Sequence, residues 1–200
     1  MDTFGSTPNS SNLSPVSSPT AAPNISLRRL RREDLHDFQA YRTNPELARY
    51  QGWEVQSDTQ ALTFIEAMHT QPIWQDKQWI QLAICTDETD KLIGDIGLCL
   101  TGDELEVGYT LHHDYHGGGI ARYAVAGAMS LALAQTSLKL FLAHTEAANT
   151  RSIRLLEALG FLKRDSPKGA DSTEWRFALT RDQFDPKPYV GVSLRTFQND

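Results

Sequence analysis

His116-Gly117-Gly118-Gly119-Ile120-Ala121 is the stretch on which the reading of this 200-residue chain turns. It follows residues 104–112, whose alternation is that of a β-strand. It opens residues 120–135, where Ile120, Ala124, Ala128 and Leu131 recur along one stripe of an alanine-rich helix. Three glycines let a backbone turn tightly and approach a ligand closely. The unpaired N–H groups of the first helical turn and the positive end of the helix dipole then face one point. Such a point is an anion site, most naturally for a pyrophosphate. Other glycine motifs are excluded. A dinucleotide-binding G-x-G-x-x-G beginning at Gly117 needs glycine at position 122, which is Arg122, and no Gly-Lys-Ser/Thr of a phosphate loop occurs. The HGGG string of some esterases needs a G-x-S-x-G elbow, also absent.

Working outward, strand and helix patterns follow one another. Residues 25–30 predict a strand, 32–42 a helix, and 57–69 a helix capped by Ser57 with Ala61, Phe64, Ile65 and Met68 at helical spacing. Residues 79–86 and 91–100 alternate as two strands around the turn 87–90, and 138–145 reads as another strand. Residues 150–159 predict a helix with Asn149 as its cap and Gly160 as its stop. Residues 161–164 and 174–179 close the series as a strand pair. This order predicts a mixed α/β fold with a central mixed sheet of about six to seven strands flanked by helices. It defines a domain over 25–183. Residues 1–24 stand apart: sixteen are Ser, Thr, Pro or Asn and none is Lys or Arg, so a disordered tail is expected. The extension 184–200 shows no clear period.

Composition bounds the function. Nineteen Lys plus Arg against 25 Asp plus Glu give a net charge of −6, which argues against a nucleic-acid or polybasic membrane binder. No run of about 18 apolar residues exists, and the N-terminus lacks the basic and apolar regions of a signal peptide, so a cytoplasmic protein is expected. Cys85 and Cys99 are too few for a disulfide scaffold or a four-cysteine zinc site. A turn at 87–90 sets Cys85 opposite about Leu92 and Cys99 opposite about Gln78, too far apart to bridge. His112, His113 and His116 invite a metal reading. Adjacent strand residues point to opposite faces and no second ligand cluster follows, so no metal is expected.

A second constellation is Asn149-x-x-Ser152-x-x-Leu155-Leu156-Glu157-x-Leu159-Gly160-Phe161. Alone it reads as a capped helix with an apolar stripe. With the glycine run it resembles the GNAT superfamily of acyl-CoA-dependent N-acetyltransferases, in its RimJ/RimL-like branch. The family's Q/R-x-x-G-x-G/A signature stands here as His116-x-x-Gly119-x-Ala121, with His116 for the usual Gln or Arg. Leu92-Ile93-Gly94-Asp95-Ile96-Gly97 and Glu106-Val107-Gly108-Tyr109 also look like strands of that branch. The resemblance covers residues 25–183.

It implies transfer of an acetyl group from the cosubstrate acetyl-CoA to a primary amine: a protein N-terminus, a polyamine or a small amino compound. The backbone of Gly117, Gly118, Gly119, Ile120, Ala121 and Arg122, beside His116, would hold the pyrophosphate. The strand around Leu111 would pair with pantetheine, and a backbone N–H there would polarise the thioester. Asn149 would touch the pantetheine arm, and Ser152 would protonate the leaving thiolate. Many members use a tyrosine one turn later, where this chain has Leu156. A protonated amine must lose a proton before attack; Glu106 is the first candidate base and Asp95 the second, and each also reads as a solvated sheet residue. Acceptor choice would lie near 49–53 and 72–79, with Trp53 and Trp74 as pocket candidates. A monomer or homodimer is expected. The competing reading is a catalytically silent acyl-CoA-binding sensor.

Overall fold

The computed structural model describes residues 23–51, 55–164, 173–189 and 192–195. Most of the expected tail, Trp53 and the loop 165–172 lie outside these residues. The chain runs β1 (Ile25–Arg29), α1 (Leu35–Arg42), α2 (Pro45–Ala48), α3 (Asp58–Thr70), β2 (Trp79–Thr86), β3 (Leu92–Thr101) and β4 (Glu104–Leu111). It continues as α4 (Ile120–Gln135), β5 (Leu140–Glu146), α5 (Thr150–Ala158), β6 (Leu162–Arg164), β7 (Glu174–Thr180) and β8 (Ser193–Leu194). One mixed sheet takes the order β6-β7-β5-β4-β3-β2-β1-β8. Only β4–β5 and β1–β8 are parallel. The mixed α/β class is as the sequence predicts. The eighth strand exceeds the six to seven expected because the extension after Gln183 returns to pair with β1 at Ser26 and Leu27. Two residues without periodicity give no strand signal on their own.

Local chemistry explains the elements. Ser57 caps α3 by accepting from the Gln60 N–H, and Gln60 Oε1 accepts from the Ser57 N–H at 2.9 Å, a reciprocal box. Ala61, Ile65 and Met68 form the buried stripe of that helix. The segment 32–42 divides: Arg32–Asp34 is a 3-10 turn and α1 starts at Leu35. Asp34 explains the break. It accepts two hydrogen bonds of 2.8 Å from the buried Arg28 guanidinium and one of 2.7 Å from the Arg31 N–H, which fixes the entry to the helix.

Residues 92–98 of β3 are buried on both faces, so helices cover the sheet front and back. The α1 face is marked by Ala83, Asp95 and Thr110 in register across β2, β3 and β4. Cys85 opposes Leu92 as the hairpin reading expects, while Cys99 opposes Trp79, one residue from Gln78. Both thiols are free, and burial pushes the Cys85 thiol up to about 12.

Candidate active site

The site grows from a break in strand pairing. β4 and β5 are neighbours only at Glu104–Leu140, Leu105–Phe141 and Glu106–Leu142. Beyond those pairs both strands continue, β4 to Leu111 and β5 to Glu146, with no further register between them. A fork opens there. Val107 to Leu111 line one side and Ala143 to Thr145 the other, within a cleft of about 680 Å³ closed by Tyr50 and Gln51 and by Asn149 to Ser152. That size suits a small ligand or a segment of a larger one. The His112 N–H donates to Ile93 O on β3, so by strand alternation the peptide groups of Leu111 and Tyr109 face the fork. Gln51 Nε2 donates to Tyr109 O there at 3.2 Å.

At the top of the fork lies the glycine loop. Gly117 and Gly119 have positive φ, +90° and +76°, a backbone glycine adopts without strain. Gly119 is the residue preceding α4, and its carbonyl accepts from the Tyr123 N–H. The N–H groups of Ile120, Ala121 and Arg122 therefore carry the unpaired end of the helix. A Cβ at Gly117 would meet nothing within 4 Å, and one at Gly118 would meet only Ile120 Cγ1 at 4.0 Å. The loop is thus a bare backbone cradle at a helix N-terminus, a form that suits an anionic group.

His116 is fixed from both ends. Its Nε2 donates to Leu111 O at 2.8 Å, so Nδ1 carries the lone pair and accepts from Arg151 Nη1 at 2.6 Å. Burial, the Arg151 charge and the neighbouring histidines hold this imidazole below its ordinary titration, although its bond to Leu111 O works the other way. A neutral His116 therefore stands where the family signature has Gln or Arg, and Arg151 brings the cation. His112 and His113 do not point apart as expected. A 3-10 turn at His113–Tyr115 stacks their rings at 4.4 Å, and half-buried His112 with exposed His113 and Asp114 forms a group whose ligand atoms lie within 4.8 Å of one another.

Asn149 Oδ1 accepts from the Ser152 N–H at 3.1 Å, the cap expected for α5. Ser152 Oγ shares a hydrogen bond of 2.8 Å with the Tyr109 hydroxyl, a partner the sequence reading missed. Burial pushes the Tyr109 phenol well above its ordinary range, so it stays protonated. Glu106 Oε1 accepts from His144 Nδ1 at 2.9 Å across the base of the fork. His144 too was missed; Tyr109 and His144 lie 43 and 38 residues from their partners, beyond any periodicity.

Glu106 and Tyr109 occupy opposite faces of β4, because side chains alternate along a strand. On the Glu106 face, Gln81 and Trp79 cover Gly97, while Gly108 opposite it leaves a bare spot, with Trp79 42% exposed and its ring 4.0 Å from the position of a Gly108 Cβ. The sequence reading placed Asp95 second as a base. Instead α1 covers it: Asp95 is 2% exposed, and its Oδ2 accepts from the Tyr41 hydroxyl at 2.6 Å and Arg42 Nη2 at 2.9 Å. Trp74 is also turned away, donating from Nε1 to Gln135 Oε1 at 2.8 Å.

The sheet that splits beside a glycine-rich helix start is shared with solved acetyltransferase structures at low sequence identity. The family model described as an acetyltransferase (GNAT) domain matches residues 24–162, and the chain belongs to that family. It is a GNAT-type N-acetyltransferase, an enzyme that moves acetyl groups to amines. An uncharacterized N-acetyltransferase p20 of Bacillus licheniformis is 27% identical over 170 residues, 80% of this chain and 94% of that protein. The spermidine N-acetyltransferase of Vibrio cholerae, solved with CoA and spermine, superposes with TM-score 0.66 at 18% identity, covering 80% of this chain and 97% of that one. RimL, the ribosomal L7/L12 α-N-protein acetyltransferase solved with coenzyme A, gives TM-score 0.67 at 13% identity over 83% of this chain and 98% of that one. Among the described residues no helix is long and apolar enough to cross a membrane.

Proposed function

We propose that this enzyme acetylates a primary amine presented over Gly108 and Trp79 on the Glu106 face of the sheet, with acetyl-CoA lying through the β4–β5 fork. The observation that carries this reading is the fork itself, flanked by a proton acceptor group on one face of β4 and a protonated hydroxyl pair on the other. Acetyl-CoA supplies the activated thioester. Gly117 to Arg122 hold its pyrophosphate through backbone N–H groups, with Arg151 beside them. The Leu111 N–H, directed into the fork, stabilises negative charge on the thioester oxygen. Asn149 and the free edge of β4 hold the pantetheine arm.

The residues divide the proton traffic. The amine arrives on the Glu106 side and loses its proton there. Its nitrogen bonds to the acetyl carbon as the carbon–sulfur bond breaks. The sulfur leaves toward Ser152, and the Tyr109–Ser152 pair returns a proton to it. Tyr109 does from β4 what many relatives do with a helix tyrosine at the position of Leu156. Asp95 takes no part; its carboxylate is committed to Tyr41 and Arg42.

The open backbone at Gly108 and the exposed Trp79 indole suit an amine on a flat or extended carbon frame, such as a small amino compound or a peptide N-terminus. The test is turnover. Acetyl-CoA is offered with a panel of peptide N-termini, polyamines and small amino compounds, and thiol release is followed alongside product mass. Thiol release matched by an N-acetylated amine is expected. Tight acetyl-CoA binding with no amine-dependent thiol release would instead identify the silent sensor.

A further inference from the structure

The base of the fork holds a pair, not a lone carboxylate. His144 lies on β5 two residues beyond Leu142, whose pairing with Glu106 is the last between β5 and β4, and lines the cleft. Its Nδ1 is 2.9 Å from Glu106 Oε1. A carboxylate only accepts, so this bond places the imidazole proton on Nδ1 and leaves the lone pair on Nε2. Among the described residues the hydrogen bond of His144 is this one. Both side chains retain solvent access, 27% for His144 and 36% for Glu106, so an incoming group can reach them. From β7, Arg176 stands opposite His144 in register, and from β3, Cys99 stands opposite Glu106.

We infer that His144 Nε2, held in that tautomer by Glu106, is the atom that takes the proton from the acceptor amine. The inference rests on the reading of the fork as the acetyl-transfer centre and names the group within it. The step balances. The ammonium N–H bond breaks and its proton passes to Nε2, giving an imidazolium paired with the Glu106 carboxylate. The freed nitrogen lone pair forms the bond to the acetyl carbon, and the carbon–sulfur electrons leave with the thiolate. Glu106 offsets the imidazolium charge without itself being protonated, as an orienting carboxylate does behind a catalytic histidine. Glu106 is then a positioning residue, and His144 the catalytic one. An imidazole is also the side chain best matched to proton uptake near neutral pH.

The test uses the full chain and two readouts. Nitrogen NMR of labelled histidines, with His144 identified by its loss in His144→Gln, reports the tautomer without any turnover. The wild type should show the proton on Nδ1 of His144, and Glu106→Ala should release that preference. In kinetics, His144→Gln should lower kcat by about 10²–10⁴-fold, with CoA affinity by calorimetry unchanged, and added imidazole should restore part of the rate of His144→Gly. Glu106→Ala should lose less than His144→Gln. A wild-type proton on Nε2, or a His144→Gln variant that turns over normally while Glu106→Ala is crippled, overturns the assignment and makes Glu106 the acceptor itself. A wild type inert toward every amine overturns the transferase reading instead.

Discussion

His116 shows how one substitution within a signature changes the electrostatics of a site. A Gln or Arg there would present donors directly. Here the imidazole is neutral, donates to Leu111 O and uses Nδ1 to hold Arg151. Protonation would remove the acceptor and set two cations side by side. The folded-state titration is depressed, so the unfolded chain binds the proton more readily and stability rises with pH. The contribution is present above the ordinary imidazole value of about 6.5 and lost as pH falls through the lower folded value. Thermal unfolding between about pH 7.5 and about pH 5 should therefore cost the wild type more than His116→Gln, whose amide can donate and accept without titrating. Parallel pH curves for the two would contradict this account. Tyr109 and Ser152 make a similar point: each is an ordinary residue in its own element, and the chemistry arises where the elements meet.

At the scale of elements, the helices and strands around the site follow their sequence patterns closely. Residues 120–135 form α4 and residues 79–86 form β2, as periodicity predicts, because glycine or charged turns bound each run. The N-caps at Ser57 and Asn149 were equally readable, since capping depends on neighbours three residues apart. What periodicity could not give is register. The separation of Asp95 from Glu106 depends on α1 covering one end of a sheet face and leaving the other open. The same register puts Gly108 between Glu106 and Thr110 on that face. A side chain at Gly108 finds only the Trp79 ring nearby, so Gly108→Val fits the fold and suits a strand. It should intrude on the acceptor floor. We expect kcat/KM for the amine to fall by about tenfold or more, corresponding to about 1.4 kcal/mol, with a smaller effect on CoA affinity. An unchanged kcat/KM would place the acceptor elsewhere.

For the whole molecule, the described strands form one sheet that splits at the β4–β5 fork, and the described residues after Gln183 return to pack against it. β1 pairs with β8, while Phe184 packs edge-on to Phe141 at 5.7 Å and the Tyr189 hydroxyl donates to Ala158 O at the end of α5. Residues 184–189 and 192–195 thus belong to the fold, which their unpatterned sequence concealed. The sheet brings the glycine loop, the Tyr109–Ser152 pair and the His144–Glu106 pair around the fork. In the proposed complex, acetyl-CoA lies there with its pyrophosphate against bare backbone. Gly118 tests it cleanly: unlike Gly117 and Gly119 it does not have positive φ, and an added Cβ meets only Ile120 Cγ1. Gly118→Val should therefore fold with the stability of the wild type while blocking close approach to the peptide N–H groups. Calorimetric titration with CoA should show wild-type binding and a loss of about tenfold or more in Gly118→Val, or about 1.4 kcal/mol; equal affinity in the two proteins would contradict the account.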